Sequence, residues 1–563
     1  MPDPRRGLAA LLALGVAVAL SACVGIPSSG SVSQGVAINA DSGGANVQYN
    51  PEGPANGASK QDILKGFVAA FTSATGGYAV AKQYLSSDFQ SKWDPRASVQ
   101  VRSGQARLSQ VNDTTMDYSF TASATVNASG SYKDGTQPFT LEFSFVKQGS
   151  EWRINSAPAG IVLSDQTFQR IFSPSPLYFL SADDQNLVPD LRWFPNGTAV
   201  TRIVSALLAG PPTWLKGAAF SRFPDGTQLS DSSGSVIVDS GIARVDLSRE
   251  ALGANTKDRQ LMQLQLSESL RSVGSISRVS LSVVGTPLQI DDLGSNAPQA
   301  DTKVDPQALV FRKGEFGFYA NGKVAALSPL SGRIVALDPQ AATLSSDQST
   351  AAVLASGGVS IVRKSQAATA PVDTRPGLIA PSMDENGYVW SVPAGSPNAI
   401  IVFDTSGAPH PLTSPGLPAD SQVASLEVSR DGARVAILLS TSTGPRLVVA
   451  AIVRDDKQVP VSLGPPIIDV SFGGDTAVDA TWADQLTIAT LVVANGQSNV
   501  QLFTAGGQRL SLGTMPTVAA SIVGGNNGQD GLRALGADSA IWTYLGSSWQ
   551  SSKVKVDFIA TQR

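Results

Sequence analysis

The chain has 563 residues, 42% hydrophobic and 15% charged; it is too long for one core and too apolar for general disorder, so about three or four folded domains are expected. With 41 Lys and Arg against 45 Asp and Glu the net charge is −4, and without a basic run in the mature part nucleic acid is excluded as a partner. One cysteine, Cys23, and one histidine, His410, exclude disulfides and a zinc or iron site of the His/Cys type, so no cofactor is expected. A carboxylate-only calcium site stays formally open; Asp384-Glu385-Asn386-Gly387 reads as a turn. The 53 Gly and 34 Pro favour β structure with many turns.

Arg5 and Arg6 precede an apolar run over residues 8–20. These are the charged and apolar parts of an export signal, and the run is shorter than the roughly 20 residues that span a bilayer. It ends in Leu20-Ser21-Ala22-Cys23, which matches the bacterial lipobox: a branched apolar residue, two small residues, and a cysteine whose thiol accepts diacylglycerol. Residues 1–22 are therefore expected to be a lipoprotein signal peptide cut between Ala22 and Cys23, with Cys23 carrying S-diacylglycerol and an N-acyl chain. Each buried methylene adds about 0.8 kcal/mol of membrane affinity. Residues 23–58, rich in Gly, Ser, Asn and Pro, read as the lipidated cysteine and a flexible tether.

Residues 59–165 read as an α+β domain. Ser59 and Asp62 mark a helix start, and Ile63, Phe67, Val68 and Phe71 share the face that follows. Phe139, Leu141, Phe143 and Phe145 alternate with polar residues as a half-buried strand, and residues 151–154 start another. Helix followed by antiparallel strands resembles NTF2-like and cystatin-like modules.

Residues 177–292 carry a helix over 198–208, stopped at Gly210-Pro211-Pro212, and a hairpin turning at Asp239-Ser240-Gly241. A second helix over 257–271 and a strand over 279–284 follow. Leu207-Leu208-Ala209-Gly210-Pro211, Phe223-Pro224-Asp225-Gly226-Thr227 and Ala243-Arg244-Val245-Asp246-Leu247-Ser248 resemble a GerMN domain, the α+β module of spore-germination lipoproteins. Asp246 is read as closing a strand rather than as a catalytic acid.

Residues 305–563 contain a recurring turn-then-strand pattern, from Ser345-Ser346-Asp347, Ser382-Met383-Asp384, Ser429-Arg430-Asp431 and Trp482-Ala483-Asp484. The spacing predicts an all-β propeller of about five to seven blades, with a pair of β-sandwiches as the alternative. No enzyme motif is found: His410 lies between prolines and is expected to be exposed, and Ser144-Phe145-Val146-Lys147 lacks the companion elements of a penicillin-binding site.

Lipobox, tether, α+β module, GerMN-like module and propeller, in this order, resemble the actinobacterial lipoprotein LpqB family. The resemblance implies a non-enzymatic accessory of an MtrA/MtrB-type two-component system, lipid-anchored at the extracytoplasmic face of the cell membrane. There it would act on the extracellular domain of a sensor kinase and influence envelope homeostasis and division. The alternative is a protein that binds or hydrolyses cell-wall glycan or peptidoglycan. A shallow propeller mouth with scattered aromatic and Arg residues is expected for the first, and paired carboxylates in a deep cleft for the second. Cys23→Ala is expected to leave the protein unacylated and uncleaved, checked by labelled-palmitate incorporation and gel mobility; persistent acylation would end the anchor argument.

Overall fold

The computed structural model describes residues 51–230, 234–366, 370–413 and 417–563. The export signal, Ala22, Cys23 and most of the expected tether lie outside the described residues. No described helix is long and apolar enough to cross a membrane.

The first module opens with α1 (Lys60–Ala69), capped as the sequence predicts: the Ser59 hydroxyl accepts from the Asp62 backbone N–H. Helix α2 (Thr75–Lys82) follows, with left-handed backbone at Gly76, Gly77 and Tyr78. Five strands complete the layer, β1 (Ser98–Asn112), β2 (Thr115–Asn127), β3 (Tyr132–Gln148), β4 (Glu151–Ser156) and β5 (Ile161–Ser164), in the order β4-β3-β2-β1-β5. Phe67 of α1 meets Phe71, Trp93 and Phe143 with ring centroids 4.8, 5.0 and 6.2 Å apart. Helices thus cover one face of the sheet with an aromatic core. Of the alternating residues in β3, Phe143 and Phe145 are buried whereas Phe139 and Leu141 are half-covered.

Helix α3 (Asp165–Ile171) leads into a hairpin of β6 (Phe172–Ser181) and β7 (Leu187–Pro195). Every residue of β7 is buried. Then come α4 (Ala199–Leu208), β8 (Ala219–Phe220), β9 (Ile237–Asp239), β10 (Ile242–Leu247), α5 (Thr256–Leu270), β11 (Arg278–Val283) and β12 (Thr286–Pro287). Strand β8 pairs with β6, and β12-β11-β10-β9 form a second sheet in which β10 and β11 run parallel across the α5 crossover. The β9–β10 turn is Ser240-Gly241, both with positive φ, the geometry that matches strand twist in a two-residue hairpin.

Among the described residues, the remaining strands form six blades. The first joins Ala308–Arg312, Glu315–Ala320 and Lys323–Ala326 to the late strand Phe558–Gln562, which pairs antiparallel with the first of them. The second has three strands, Ala341–Leu344, Thr350–Ala355 and Gly358–Arg363. The third to sixth begin at Ser382–Met383, Gln422–Val428, Thr476–Trp482 and Ala519–Val523, each the first of four strands paired in sequence order, and in the fourth a fifth strand, Ile468–Ser471, also pairs with the third. The late strand in the first blade closes the ring, so only short outer edges face solvent.

The β6–β7 hairpin is shared property. The aromatic core of the first module includes Phe172 and Trp193, and the core of the middle module takes in Ala433 and Ala451 of the fourth blade. Trp193 donates its indole N–H to the Gly506 carbonyl at 3.0 Å. Gly506 has φ +76°, and a Cβ there would lie 2.6 Å from the Leu191 carbonyl oxygen. Gly506→Ala should therefore combine left-handed strain with a backbone clash and cost about 2 kcal/mol or more. Thermal unfolding and protease sensitivity of the hairpin check this; an unchanged melting profile would show that the fifth blade does not clamp β7.

Candidate functional site: the cleft between the middle module and the propeller

The recurring turns of the sequence fall at equivalent places in blades two to five, where the innermost strand turns into the second. In each, an Asp side chain holds the turn by accepting a nearby backbone N–H: Asp347 from Ser349 at 2.9 Å, Asp384 from Asn386 at 3.1 Å, Asp431 from Ala433 at 3.0 Å, and Asp484 from Leu486 at 2.8 Å. Asp, Gly and Ser recur there because the short side chain replaces a backbone partner.

These turns converge around one mouth of the propeller, bridged from blade to blade. Gln562 donates to the Ser346 carbonyl at 3.1 Å, the Ser346 hydroxyl to Glu385 at 3.0 Å, and the Trp482 indole to the Glu427 carbonyl at 2.9 Å. Arg430 donates to the Gly525 carbonyl at 3.1 Å. Ion pairs join Asp384 to Arg454, Asp431 to Arg434, and Glu427 to Arg563. Arg434 also lies 5.0 Å from the centroid of the Trp482 ring.

The mouth is not the shallow open face expected from sequence. Its arginines are present, but Trp390 and Trp482 are buried, and residues 302–305 lie across it. The Val304 N–H donates to Asn526 at 2.9 Å, the Asp305 N–H to Gln562 at 2.9 Å, and Arg430 reaches the Thr302 carbonyl at 3.4 Å. Packing of the middle module against the mouth forces the connecting segment over it, an arrangement that no sequence spacing records.

What stays open is a cleft of about 770 Å³ beside that segment. One wall is the β6–β7 loop with Asp183, Asp184, Gln185 and Asn186, joined by Lys257 and Leu261 of α5; the floor is residues 293–299; the far wall is Ser346, Glu385 and Asn386 of blades two and three. Asp184 is neutralised by Lys257 at 3.0 Å and by Arg222, and Asp183 takes the Ser181 hydroxyl at 2.6 Å. Glu385 differs: one carboxyl oxygen is buried without a hydrogen-bond partner. Burial pushes its carboxyl up to about 7, the Ser346 hydroxyl opposing this and Asp384, Asp347 and Asp431 adding to it. Burial also lowers the nearby Arg563 guanidinium, to about 9, with Glu385's charge opposing. The lining amides of Gln185, Asn186, Asn296, Gln299 and Asn386 supply donors and acceptors.

The residues singled out by sequence are dispersed. Asp246 accepts from Ser282 at 2.6 Å, from the Gly285 N–H at 2.9 Å and from Ser230; burial opposes, but these bonds hold its carboxyl below the usual range. It fastens β10 to the β11–β12 turn. His410, expected to be exposed in a loop, instead sits half-buried in a short outer strand of blade three, its Nε2 3.1 Å from Asp404. The Asp404–Ala408 hairpin turn brings the two together. Ser144 and Lys147 lie within β3. No group of three or more metal-ligating side chains occurs among the described residues. Glu385 was hidden by its own turn motif, and the repeat of Ser-x-Asp turns was the signal that could have located it.

The fold thus defines a class: an α+β module and a GerMN-type module locked onto a six-bladed propeller, with a polar cleft where the last two meet. Family models match in the same order, "Lipoprotein LpqB, N-terminal domain" over residues 53–169, "Sporulation and spore germination" (Germane) over 176–289, and "Lipoprotein LpqB beta-propeller domain" over 319–557. The chain belongs to the lipoprotein LpqB family. The Lipoprotein LpqB of Cutibacterium acnes is 30% identical over 279 residues, an alignment spanning 49% of this chain and 46% of that protein, less than half of each. That of Thermobifida fusca is 24% identical over 84% of this chain and 86% of its own, and that of Streptomyces coelicolor 27% over 79% of each. Among solved structures, TolB from Acinetobacter baumannii aligns with TM-score 0.31 and 13% identity over 46% of this chain and 66% of its own.

Because the folded state holds Glu385's proton more tightly than the unfolded chain does, folding takes up a proton between about pH 4.5 and about pH 7. Stability should fall as pH rises through that window and level off above it, and Glu385→Gln should abolish this component in thermal melts at pH 5 to 8. An identical slope in the variant would place the titration elsewhere.

Proposed function

We propose that this protein is a non-enzymatic binding and regulatory lipoprotein, anchored through acylated Cys23 at the extracytoplasmic face of the cell membrane, with cleavage between Ala22 and Cys23. Its divisions are a tether over 23–58, modules over 59–165 and 177–292, and a propeller over 305–563. The cleft engages the extracellular domain of a membrane sensor kinase of the MtrA/MtrB type. The observation that carries this reading is the state of the mouth's charges. Asp384, Asp431 and Glu427 are each taken up by an arginine, while amides line the open cleft, a surface suited to hydrogen-bonded recognition on a rigid scaffold.

A second reading rests on Glu385. A carboxyl held near neutrality in a polar cleft is the state a general acid needs, which favours binding or hydrolysis of cell-wall glycan.

Capture of solubilised envelope proteins on the mature chain tests the two. Because the modules share cores, the discriminating variant is Asn296→Trp, which fills the cleft from an exposed position, compared with a substitution on the outer strands of blade five. Recovery of a sensor-kinase extracellular domain, reduced at least about tenfold by Asn296→Trp alone, is the expected result. Glycan release by the wild type, lost in Glu385→Gln, would replace the regulatory reading with the second one.

A further inference from the structure

A second site lies away from the cleft, where the first module meets the hairpin and α4. A void of about 40 Å³ is lined by Tyr78, Arg96, Asn127, Thr198 and Arg202 on its polar side, and by Pro95, Val99 and Phe172 among its apolar walls. That is room for a group of one or two water-sized atoms, such as one acid head, and not for a sugar ring.

Three independent features point positive or donating groups into this space. Arg96 comes from the segment before β1 and Arg202 from α4, so two modules each bring a guanidinium to one void. Arg202 spends one N–H on the Ala128 carbonyl at 2.9 Å, whereas the Arg96 side chain has no hydrogen-bond or ion-pair partner among the described residues. Burial lowers the Arg202 guanidinium from its ordinary value, and the facing Arg96 charge lowers it further, with Asp94 opposing. Thr198, which lines the void as the N-cap of the ten-residue α4, makes no side-chain capping bond; a single 3-10 turn, Asn196–Thr198, leads into the helix, whose positive end lies beside the void.

The third feature is Tyr78. It is only 5% exposed, its hydroxyl has no hydrogen-bond partner among the described residues, and burial pushes it up to about 12, so it is a neutral donor at any ordinary pH. Its backbone has φ +64° and follows Gly76 and Gly77 at +60° and +67°. A bulky residue in the left-handed region is an outlier that persists only where the surroundings hold it, and here it puts an unpaired phenol beside two arginines.

We propose that Arg96, Arg202, Tyr78 and the N-terminus of α4 form a binding site for a carboxylate carried on a short apolar stem, such as the C-terminal carboxylate of a peptide ending in alanine. The balance of charge selects a monoanion: two arginines less the neighbouring Asp94 leave a single positive charge, short of what a phosphate dianion requires. The apolar walls accommodate the stem, and the void accommodates only its head.

Isothermal titration of the full chain in detergent with acetyl-alanyl-alanine, its C-terminal amide and inorganic phosphate tests the site. The acid should bind one to one, the amide at least about tenfold more weakly, and phosphate no more tightly than the acid. Arg96→Gln, at an exposed position that leaves the fold intact, should weaken the acid at least about tenfold, and Tyr78→Phe should weaken it by a smaller factor. Equal binding of acid and amide, tighter binding of phosphate, no saturation by the acid up to about 10 mM, or unchanged affinity in a folded Arg96→Gln would each overturn the proposal.

Discussion

The buried pair Asp190–Arg192 on β7 fixes how the three modules sit together. Both side chains are nearly removed from water, at 3% and 5% exposure, and such a pair is costly unless its remaining hydrogen-bonding positions are filled. They are filled from different parts of the molecule. The Trp214 indole of the middle module donates to Asp190 at 3.2 Å, and Arg192 donates to the Ser129 carbonyl of the first module at 2.7 Å. Burial raises the Asp190 carboxyl, while Arg192, the Trp214 bond and the charge of Arg434 in the propeller oppose that rise. Moving any one module away would strip a partner from a buried charge, a loss of about 3–5 kcal/mol. The pair is therefore weak as a source of stability and strong as a device for orientation.

Contacts on the hairpin and beside it extend that constraint. Tyr178 accepts from Gln485 of the fifth blade at 2.8 Å, Asp134 of β3 pairs with Arg509, and a Cβ on Gly217 would meet Val453 at 3.1 Å. With apolar cores crossing two boundaries, the usual expectation of modules moving on their linkers does not apply to this part of the chain. The cleft inherits this fixity. Its walls come from the β6–β7 loop and from blades two and three, so its width is set by how the hairpin is wedged and not by a hinge.

Local structure was legible in the sequence to the extent that it rests on local rules. The Ser59 cap, the alternation in β3, the Gly210-Pro211-Pro212 stop after α4 and the Ser240-Gly241 turn each involve residues within one or two turns of chain. The propeller was legible because the same Asp-held turn recurs in four of its six blades, and the ring has one blade count, six, that the drifting repeats left open. The wedge was not. Trp193 and Gly506 are over 300 positions apart, and a glycine required by an approaching carbonyl looks like any other turn glycine. Glu385 belongs to a turn, as the sequence predicts, yet the surroundings of its unpaired oxygen come from turns of other blades distant in sequence, with Ser346, Asp347 and Asp431 around it. The left-handed backbone at Gly76, Gly77 and Tyr78 is a structural finding that no sequence reading singled out, and only the arrival of α4 and Arg202 shows what it places.

A rigid unit of this kind constrains how regulation could work. Because apolar cores cross the module boundaries among the described residues, domain closure is a costly relay for occupation of the cleft, since a ligand shifts an equilibrium only between states that exist. Under the regulatory reading proposed above, the remaining route is direct: the unit would either cover a surface of the proposed partner or withdraw from it. For two proteins held in one membrane that route needs little affinity, because confinement raises the effective concentration of one at the other, on the order of millimolar for a short connection. Amides and paired charges, with few exposed aromatic anchors, suit such a contact, since they confer selectivity by hydrogen-bond matching while leaving dissociation fast. Whatever occupies the cleft must present its own donors and acceptors to five amides and one carboxyl that ionises near neutrality, and its grip should then weaken or strengthen with pH according to whether it donates to Glu385 or accepts from it.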